Sequence, residues 1–599
     1  MLRFLVAAVV VSLTGGADAL GAQRNTWPAP PDPKEIRVEW GLRVPLRDGV
    51  EAVVSVYRPA HQREPLPVVF ALTPYMADAY HLTAKYFAQR GYVFVTADTR
   101  GRGHTGGNWK PFLQDGPVGY DITEWLARQP WSNGKVAMAG LSYLGFTQWT
   151  TLKEFPPHLA TIVPTAAGYF SYTSLNPYNI FSTYAIRWLT GVSGRSLNPQ
   201  LNGDEDYWRQ VLWTWYSNHL PFAVLDSVAG NQTTDLQEWI RHPMHGDFVE
   251  QTAVSQADYP KIDIPILTVS GHFDSEQRAA MRHYKRHMEF GNAGAKANHY
   301  LIIGPWDHFA TFWPRADIGG LSFAPASVLD LGSVHTEWYD WVLKGKAKPA
   351  FLKNRVAYYL MGAEEWRYAD ALESVTASRQ QYFLASPGGN PATVASAGAL
   401  TSTRSGTQVP PDWWTYDPLD TRPGAHELRS SGGYLSSADS LDLFGAGVIY
   451  QTAPLTNAVD LAGYVKLTIW LSMDVPDTDF HATLYEVTSD GKAIYLTRQL
   501  QRARYRESLE RERLMTPGEV TPFVLDDFDF FARRIKQGSR LRLVVGALNS
   551  IRFEKNYNSG GVVARESGSV ARTARVNLHH GDRFPSRLDL PIAAPSRAQ

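Results

Sequence analysis

Residues 136–145 read Val-Ala-Met-Ala-Gly-Leu-Ser-Tyr-Leu-Gly. A short apolar run ends at Gly140, Ser142 follows two residues later, and the segment after it has helical character. A serine on a tight turn between a buried strand and a helix is typical of a nucleophile elbow, which holds the hydroxyl above the end of a sheet. The helix N-terminus behind such a turn favours developing negative charge. Leu144 stands where the general G-x-S-x-G pattern has its second glycine, so this motif alone is a modest signal.

Apolar runs before the elbow predict further strands of the same sheet. Residues 67–73 and 92–97 suit strands that are buried on both faces, and a helical segment at 80–90 separates them. Strands that alternate with helices predict an α/β fold with a mostly parallel sheet and helices on both of its faces. In such sheets ligands bind outside the carboxyl ends of the strands. Tyr75 and Ser142 both follow strand ends, so we expect them to share one rim of the sheet.

Two later strand ends carry the other residues that a serine nucleophile needs. The apolar run 265–269 leads to Asp274, and the run 300–304 leads to His308. Ser, then Asp, then His at successive strand ends is the order found in α/β-hydrolases. A serine hydroxyl is a weak nucleophile, so we predict that His308 takes the proton of Ser142. We predict that Asp274 orients the imidazole and stabilises its cation.

The oxyanion formed in acyl transfer needs two hydrogen-bond donors. The backbone N–H of Tyr143, the residue after the nucleophile, is the first predicted donor. We predict the hydroxyl of Tyr75 as the second donor, although a tyrosine at a strand end can also serve packing alone.

From 168 to 248 the alternation of strands and helices is lost, which predicts a mostly helical cap inserted over the rim. Between Glu154 and Asp204 there is no carboxylate, and aromatic residues are frequent. We interpret this segment as an uncharged aromatic wall above the serine. These aromatic residues can equally serve to attach the cap to the domain beneath it. The candidate substrate-binding residues of the wall are Tyr169, Phe170 and Tyr172.

The C-terminal part has a different pattern. Alternating apolar and polar runs, separated by clusters of Gly, Pro, Asp and Ser, predict an antiparallel sandwich or jelly roll. The predicted divisions are a signal peptide at 1–19, an α/β-hydrolase domain formed by 20–167 and 249–349, the helical cap at 168–248, and a jelly-roll domain at 350–599.

Composition narrows the possible functions of the 599-residue chain. Lys plus Arg and Asp plus Glu number 58 each, so nothing favours nucleic acid or a polybasic membrane patch. The absence of cysteine excludes disulfides, thiol catalysis and Cys-ligated zinc. Residues 1–19 have the basic start, short apolar core and Ala-x-Ala site of a signal peptide. They predict export to the periplasm or the medium, with no membrane attachment after cleavage.

No cofactor or metal is expected. His283 and His287 have the i, i+4 spacing of zinc ligands on a helix, but the residues between them include no Glu base. We interpret them as part of a solvated helix face. The expected partner is a small ester or amide, and the sequence leaves open whether the chain forms a homo-oligomer.

Taken together, these motifs resemble the cocaine esterase and α-amino-acid ester hydrolase family, relatives of the X-Pro dipeptidyl peptidases. The resemblance covers nearly the whole chain after the signal peptide, and it implies the same triad, Tyr75 in the oxyanion hole, and Leu144 as a normal family residue. It also implies an α/β-hydrolase domain, an inserted cap and a C-terminal jelly roll. The matching stretches are 73–75, 98–101, 140–145, 273–274, 304–308, 476–480 and 585–588.

The resemblance also bears on the substrate. The amino-acid ester hydrolases hold a substrate ammonium with three carboxylates, of which Glu276 matches one. Gln277 stands in place of the second, the cap has no acid to match the first, and Glu276 also suits a helix start. We therefore expect a serine hydrolase of carboxylic esters or activated amides with an apolar or aromatic acyl group.

Three alternatives stay open. Two are an X-Pro dipeptidyl peptidase and an α-amino-acid ester hydrolase or β-lactam acylase, both of which require a free amine. The third is a binding module whose β-domain holds a carbohydrate beside an inert hydrolase domain, and the sequence argues against it because every catalytic position is filled.

Overall fold

The computed structural model describes residues 36–170, 172–404, 406, 409–430 and 432–595. The predicted signal peptide lies outside these residues. Within the described chain, no helix is both long and apolar enough to cross a membrane.

Ten strands of the N-terminal half form one sheet with the order β1-β2-β4-β3-β5-β6-β7-β8-β11-β12. From β4 to β11 all neighbours run parallel, whereas β1, β2 and β12 are antiparallel to their neighbours. Two short strands, β9 and β10, pair separately. The bounds are β1 (Ile36–Pro45), β2 (Glu51–Pro59), β3 (Leu66–Thr73), β4 (Val93–Asp98), β5 (Ser132–Leu141), β6 (Leu159–Thr165), β7 (Ile266–Phe273), β8 (His299–Asp307), β9 (Asp317–Ile318), β10 (Leu321–Ser322), β11 (Val356–Leu360) and β12 (Glu365–Ala369).

Helices cover both faces of this sheet. Alternate residues of one strand therefore enter two separate cores: Val69 belongs to one and Phe70 to the other. This two-sided burial explains why the strands read as continuous apolar runs, and the predicted α/β-hydrolase fold is confirmed. The helices are α1 (His81–Ala88), α2 (Asp115–Ala127), α3 (Tyr143–Lys153), α4 (Tyr184–Gly191), α5 (Pro199–Gly203), α6 (Glu205–Ser217), α7 (Leu225–Val228), α8 (Thr234–Arg241), α9 (Asp247–Glu250), α10 (Gln277–Phe290), α11 (Ala293–Ala297), α12 (Leu331–Lys344) and α13 (Arg422–Arg429).

The chain between β6 and β7 forms helices α4 to α9 and a core rich in tryptophan, which includes Trp188, Trp208, Trp215 and Trp239. This segment lies above the carboxyl ends of the parallel strands, because Trp188 bonds to Tyr75 after β3 and Ser174 bonds to Glu276 after β7. The cap therefore covers the rim on which the candidate catalytic residues lie.

The C-terminal region is built from strands, with α13 in the loop between two of them. Among the described residues of this region, fourteen strands surround one apolar core. This domain contacts the cap, since Arg502 donates to the carbonyl of Asn179 over 3.2 Å. The strands are β13 (Thr376–Ala385), β14 (Gly398–Thr401), β15 (Asp412–Tyr416), β16 (Leu435–Ser437), β17 (Gly447–Gln451), β18 (Val459–Gly463), β19 (Lys466–Met473), β20 (Asp479–Val487), β21 (Lys492–Arg502), β22 (Thr521–Leu525), β23 (Phe531–Ile535), β24 (Arg540–Ala547), β25 (Ala574–His579) and β26 (Arg587–Ala593).

Candidate active site

Ser142 lies on the turn between β5 and α3 with φ +66° and ψ −120°, a backbone conformation that costs a non-glycine residue free energy. Close packing holds it there. A Cβ on Gly140 would lie 2.4 Å from the Cβ of Leu144, and one on Gly145 would lie 2.7 Å from the Cα of Ala167. Leu144 is thus tolerated in the motif because the glycine four residues earlier leaves room for its side chain.

Asp274 and His308, which follow β7 and β8, are joined by a hydrogen bond of 2.7 Å between the carboxylate Oδ1 and the imidazole Nδ1. The Asp274 side chain is buried, and both of its oxygens have further donors. Ser270 Oγ donates to Oδ2 and the backbone N–H of Glu276 donates to Oδ1, each over 2.9 Å. Burial on its own would lower the pKa of His308, but the hydrogen bond and charge of Asp274 raise it above its ordinary value.

The Tyr75 hydroxyl interacts with the side chain of Ser142, and it accepts a hydrogen bond of 3.0 Å from the indole N–H of Trp188. Burial raises the pKa of Tyr75, so the phenol keeps its proton as a donor. The loop that carries Tyr75 is fixed from below, because Arg102 Nε donates to the carbonyl of Pro74 over 2.8 Å.

Tyr143 offers only its backbone to the site. Its hydroxyl accepts from the N–H of Phe112 over 2.6 Å and donates to Asp115 Oδ2 over 2.7 Å. The side chain is therefore held by the loop before α2 and by the first residue of that helix. As the first residue of α3, Tyr143 has an N–H group that needs no partner within the helix, so it is available to an oxyanion.

Glu276 is buried next to the Asp274–His308 pair. Its Oε1 accepts from the N–H of Ser174 over 3.0 Å and from the Ser174 hydroxyl over 2.5 Å. Its Oε2 has no hydrogen-bond partner within the described part of the chain. Burial raises the pKa of Glu276 to about 7, so this carboxyl is readily neutral.

Gln277 has a structural role. Its amide Nε2 donates to the carbonyls of Gly271 and Phe530 over 2.9 Å, and its Oε1 accepts from the N–H of Phe530 over 2.6 Å. Because the amide joins α10 to the C-terminal domain, Gln277 is not free to bind a substrate. Of these two neighbouring residues, only Glu276 has a side-chain oxygen without a hydrogen-bond partner among the described residues.

The contacts of Tyr169, Phe170 and Tyr172 lie within the cap and beneath it. The Tyr169 ring lies 4.7 Å from that of His283, and the Tyr172 ring lies 4.2 Å from that of His245. Phe170 belongs to the aromatic core of the cap. Among the described residues, their ring contacts attach the cap to the hydrolase domain and do not include Ser142, Tyr75 or His308.

The interpretation of His283 and His287 as a solvated helix face is wrong, because both are buried. His283 stacks on Trp149 with ring centroids 4.6 Å apart, and Nδ1 of His287 lies 2.8 Å from Nδ1 of His299. Among the described residues no group of three or more His, Asp or Glu side chains is arranged to hold a metal ion.

Sequence reasoning missed the cap residues that contact the site. Trp188 bonds to Tyr75, and Ser174 bonds to Glu276. Trp188 was visible only as one of many aromatic residues, and Ser174 belongs to no motif. Their roles depend on how the cap folds over the rim, and local patterns carry no signal for that.

Comparison with known proteins finds matches in both parts of the chain. A family model described as X-Pro dipeptidyl-peptidase (S15 family) matches residues 48–310, and a model of the X-Pro dipeptidyl-peptidase C-terminal non-catalytic domain matches 351–589. The chain is 29% identical to a cocaine esterase of Rhodococcus sp. (strain MB1 Bresler) over 582 residues, which cover 92% of this chain and 98% of that one.

Two solved structures share the fold along nearly the whole chain. An α-amino acid ester hydrolase has a TM-score of 0.78 at 19% identity and covers 93% of this chain and 97% of its own. An aminopeptidase from a marine sediment archaeon, Thaumarchaeota archaeon, has a TM-score of 0.78 at 19% identity and covers 95% and 98%. The chain is therefore a serine ester hydrolase whose two parts match the catalytic and C-terminal models of the X-Pro dipeptidyl-peptidase S15 family, and it is similar to cocaine esterase.

Proposed function

We propose that this enzyme cleaves carboxylic esters or activated amides through an acyl-enzyme on Ser142, with His308 as the general base and Asp274 as its orienting carboxylate. The observation that carries the proposal is the 2.7 Å bond between His308 and Asp274 at the rim that also bears Ser142. The interaction between the Tyr75 hydroxyl and Ser142 supports Tyr75 as the side-chain donor of the oxyanion hole.

In the proposed mechanism, Ser142 Oγ attacks the carbonyl carbon while His308 Nε2 takes the hydroxyl proton. The Tyr75 hydroxyl and the N–H of Tyr143 stabilise the negative charge that develops on the carbonyl oxygen. His308 then returns the proton to the leaving oxygen or nitrogen, and the acyl group stays on Ser142. A water molecule repeats the sequence, which releases the acid and restores the hydroxyl.

We propose that the acyl group is apolar or aromatic. The cap contributes no carboxylate between Glu154 and Asp204, and Gln277 is bound to the C-terminal domain. A single carboxyl whose pKa burial raises to about 7, that of Glu276, is a poor site for an ammonium. On the predicted signal peptide at 1–19 we also propose that the enzyme is exported.

The requirement for a free amine, as in an amino-acid ester hydrolase or an X-Pro peptidase, is the second candidate. It is favoured by one observation, the buried Glu276 Oε2 without a partner among the described residues. The rates of cleavage of phenylacetate esters, of phenylglycine esters of the same alcohol and of X-Pro anilides separate the two candidate functions. A strong preference for esters with a free α-amine would contradict the proposal that the acyl group is uncharged.

The nucleophile is tested by Ser142→Ala. This variant should retain the fold, lose ester turnover and lose labelling by a fluorophosphonate. Ser255→Ala, which changes an exposed serine in the loop after α9, is the control and should label like the wild type. Labelling of the Ser142→Ala protein would assign the nucleophile to another residue.

A further inference from the structure

The cap, the hydrolase domain and the C-terminal domain together line a cavity of about 620 Å³. It adjoins the catalytic residues, because Asp274 and Ser275 form part of its wall. Ser174 and Tyr184 of the cap also line it, and the Ser174 hydroxyl bonds to the buried Glu276. The cavity therefore begins beside the triad and extends towards the C-terminal domain.

The position of the cavity bears on which part of an ester substrate it could hold. In the proposed mechanism His308 gives its proton to the leaving oxygen, so the alcohol part lies on the side of His308. Asp274 holds His308 and lines the cavity, so the cavity lies next to the residue that orients the catalytic histidine. We take the alcohol part of the substrate as the part that this cavity receives.

Most arginines that line the cavity are already paired with carboxylates. Arg187 bonds to Glu205 over 2.5 Å, Arg209 bonds to Asp206 over 2.8 Å, and Arg278 is paired with Asp527. Carboxylates of the protein therefore already occupy these three guanidinium groups.

Arg498 on β21 differs from those arginines. It lines the cavity and is exposed, and its guanidinium has no hydrogen bond or ion pair with any residue that the structure describes. Its nearest described aromatic contact is the ring of Phe553, at 5.9 Å. A guanidinium in this setting offers its donors to a ligand in the cavity.

The carboxyl groups of Asp529 and Glu427 interact with Arg498 through space, but neither is hydrogen-bonded to it in the described structure. Burial raises the pKa of Asp529 to about 7, a shift that Arg278 and Arg498 oppose. Burial also raises the pKa of Glu427, whose Oε2 already accepts from Ser550 Oγ over 2.8 Å and from the N–H of Ile551 over 3.1 Å. The cavity therefore keeps positive character at Arg498.

We propose that this cavity binds the alcohol part of the substrate and that Arg498 binds a carboxylate on it. The substrate class is then an ester between a neutral acid and an alcohol or phenol that carries a carboxylate. A guanidinium suits this role, because its planar fork of N–H groups matches a carboxylate with two parallel bonds. The inference rests on the proposed function, and it gives the C-terminal domain a part in substrate selection.

The test compares two esters that differ in charge and have nearly the same shape, 3-carboxyphenyl benzoate and 3-carbamoylphenyl benzoate, together with their 4-substituted isomers. The ratio of kcat/KM for carboxylate over carboxamide is measured for each protein. Because the ratio is internal to each preparation, a variant that folds in lower yield remains informative. For Arg498→Gln the ratio should fall about tenfold, the scale of one hydrogen-bonded charge pair.

Two further variants sharpen the test. Arg498→Lys keeps the charge without the fork and should give an intermediate ratio. Arg209→Met removes an arginine that is already paired on the cap side of the cavity, and it should keep the wild-type ratio. If the wild type cleaves the carboxamide ester but the ratio is the same in Arg498→Gln, this inference alone is overturned. If the wild type cleaves none of the esters, the proposed function falls with it.

Discussion

The indole N–H of Trp188 donates a hydrogen bond of 3.0 Å to the hydroxyl oxygen of Tyr75. Trp188 belongs to α4 of the cap, whereas Tyr75 follows β3 of the hydrolase domain. With its oxygen accepting from Trp188, the phenol directs its own proton elsewhere, and it also interacts with Ser142. The cap thus takes part in orienting the donor that we assign to the oxyanion.

Tyr75→Phe removes this donor and leaves the ring in place. We expect kcat to fall by about 10²-fold or more with little change in KM, because one oxyanion donor acts on the transition state and hardly on the bound ester. Steady-state kinetics on an aromatic ester measure this. A kcat within twofold of the wild-type value would remove Tyr75 from the mechanism.

Trp188→Phe removes the bond that positions Tyr75. We expect kcat to fall about tenfold, on the scale of one hydrogen bond. In the Tyr75→Phe background the same change should have almost no effect, since Trp188 acts through the hydroxyl that is then missing. Trp239→Phe is the control, because this ring lies 6.3 Å from Trp188 in the same aromatic core. Additive losses in the double variant would show that Trp188 acts independently of Tyr75.

The activity should decline on acidification with a midpoint above the ordinary histidine value of about 6.5. Only neutral His308 can accept the proton of Ser142, and Asp274 raises the pKa of His308 despite its burial. A profile of kcat/KM between pH 5 and 9 measures the midpoint.

The acidic limb of this profile, where activity declines, could also come from Glu276, because burial raises its pKa to about 7. In Glu276→Gln the limb should persist at somewhat lower pH, since the Glu276 charge contributes to the raised pKa of His308. Disappearance of the limb in this variant would assign it to Glu276 instead.

Much of the hydrolase domain could be predicted because the burial of each strand is visible in the residues of that strand. A strand such as β3 is buried on both faces and reads as an unbroken apolar run. Since parallel strands end at one edge, the residues after them meet there, and this brings Asp274 to His308. The same logic cannot find Trp188, Ser174 or Arg498, whose positions depend on the packing of the cap and C-terminal domain.

The misinterpretation of α10 has a physical cause. The residues between His283 and His287 are Tyr284, Lys285 and Arg286, which looked like a solvated surface. Instead, Lys285 Nζ lies 3.6 Å from the ring centroid of Tyr464 in the C-terminal domain. Long basic side chains cover apolar surface with their stems and keep only their ends polar. The charge pattern of this helix therefore did not reveal that it lies between domains.

The buried histidines predict a loss of stability in acid. Burial lowers the pKa of His283 to about 3 and that of His287 to about 4, and it also lowers the pKa of His299. The unfolded chain therefore binds protons below about pH 6.5 that the folded chain refuses, so the free energy of unfolding falls as the pH falls. Each such histidine costs about 1 kcal/mol of stability at pH 5.5 relative to pH 7.5.

His283→Gln tests this cluster, because glutamine is chosen to preserve a donor for the carbonyl of Gly168, which His283 Nε2 contacts at 3.0 Å. Urea unfolding at pH 7.5 and 5.5 should show a variant that is less stable than the wild type at the higher pH, since stacking on Trp149 is lost. Its further loss on acidification should be smaller by about 1 kcal/mol, because one titrating group is gone. His61→Gln, at an exposed position, should leave the acid-induced loss unchanged. Equal acid-induced losses in the wild type and His283→Gln would mean that His283 is not among the groups that couple stability to pH.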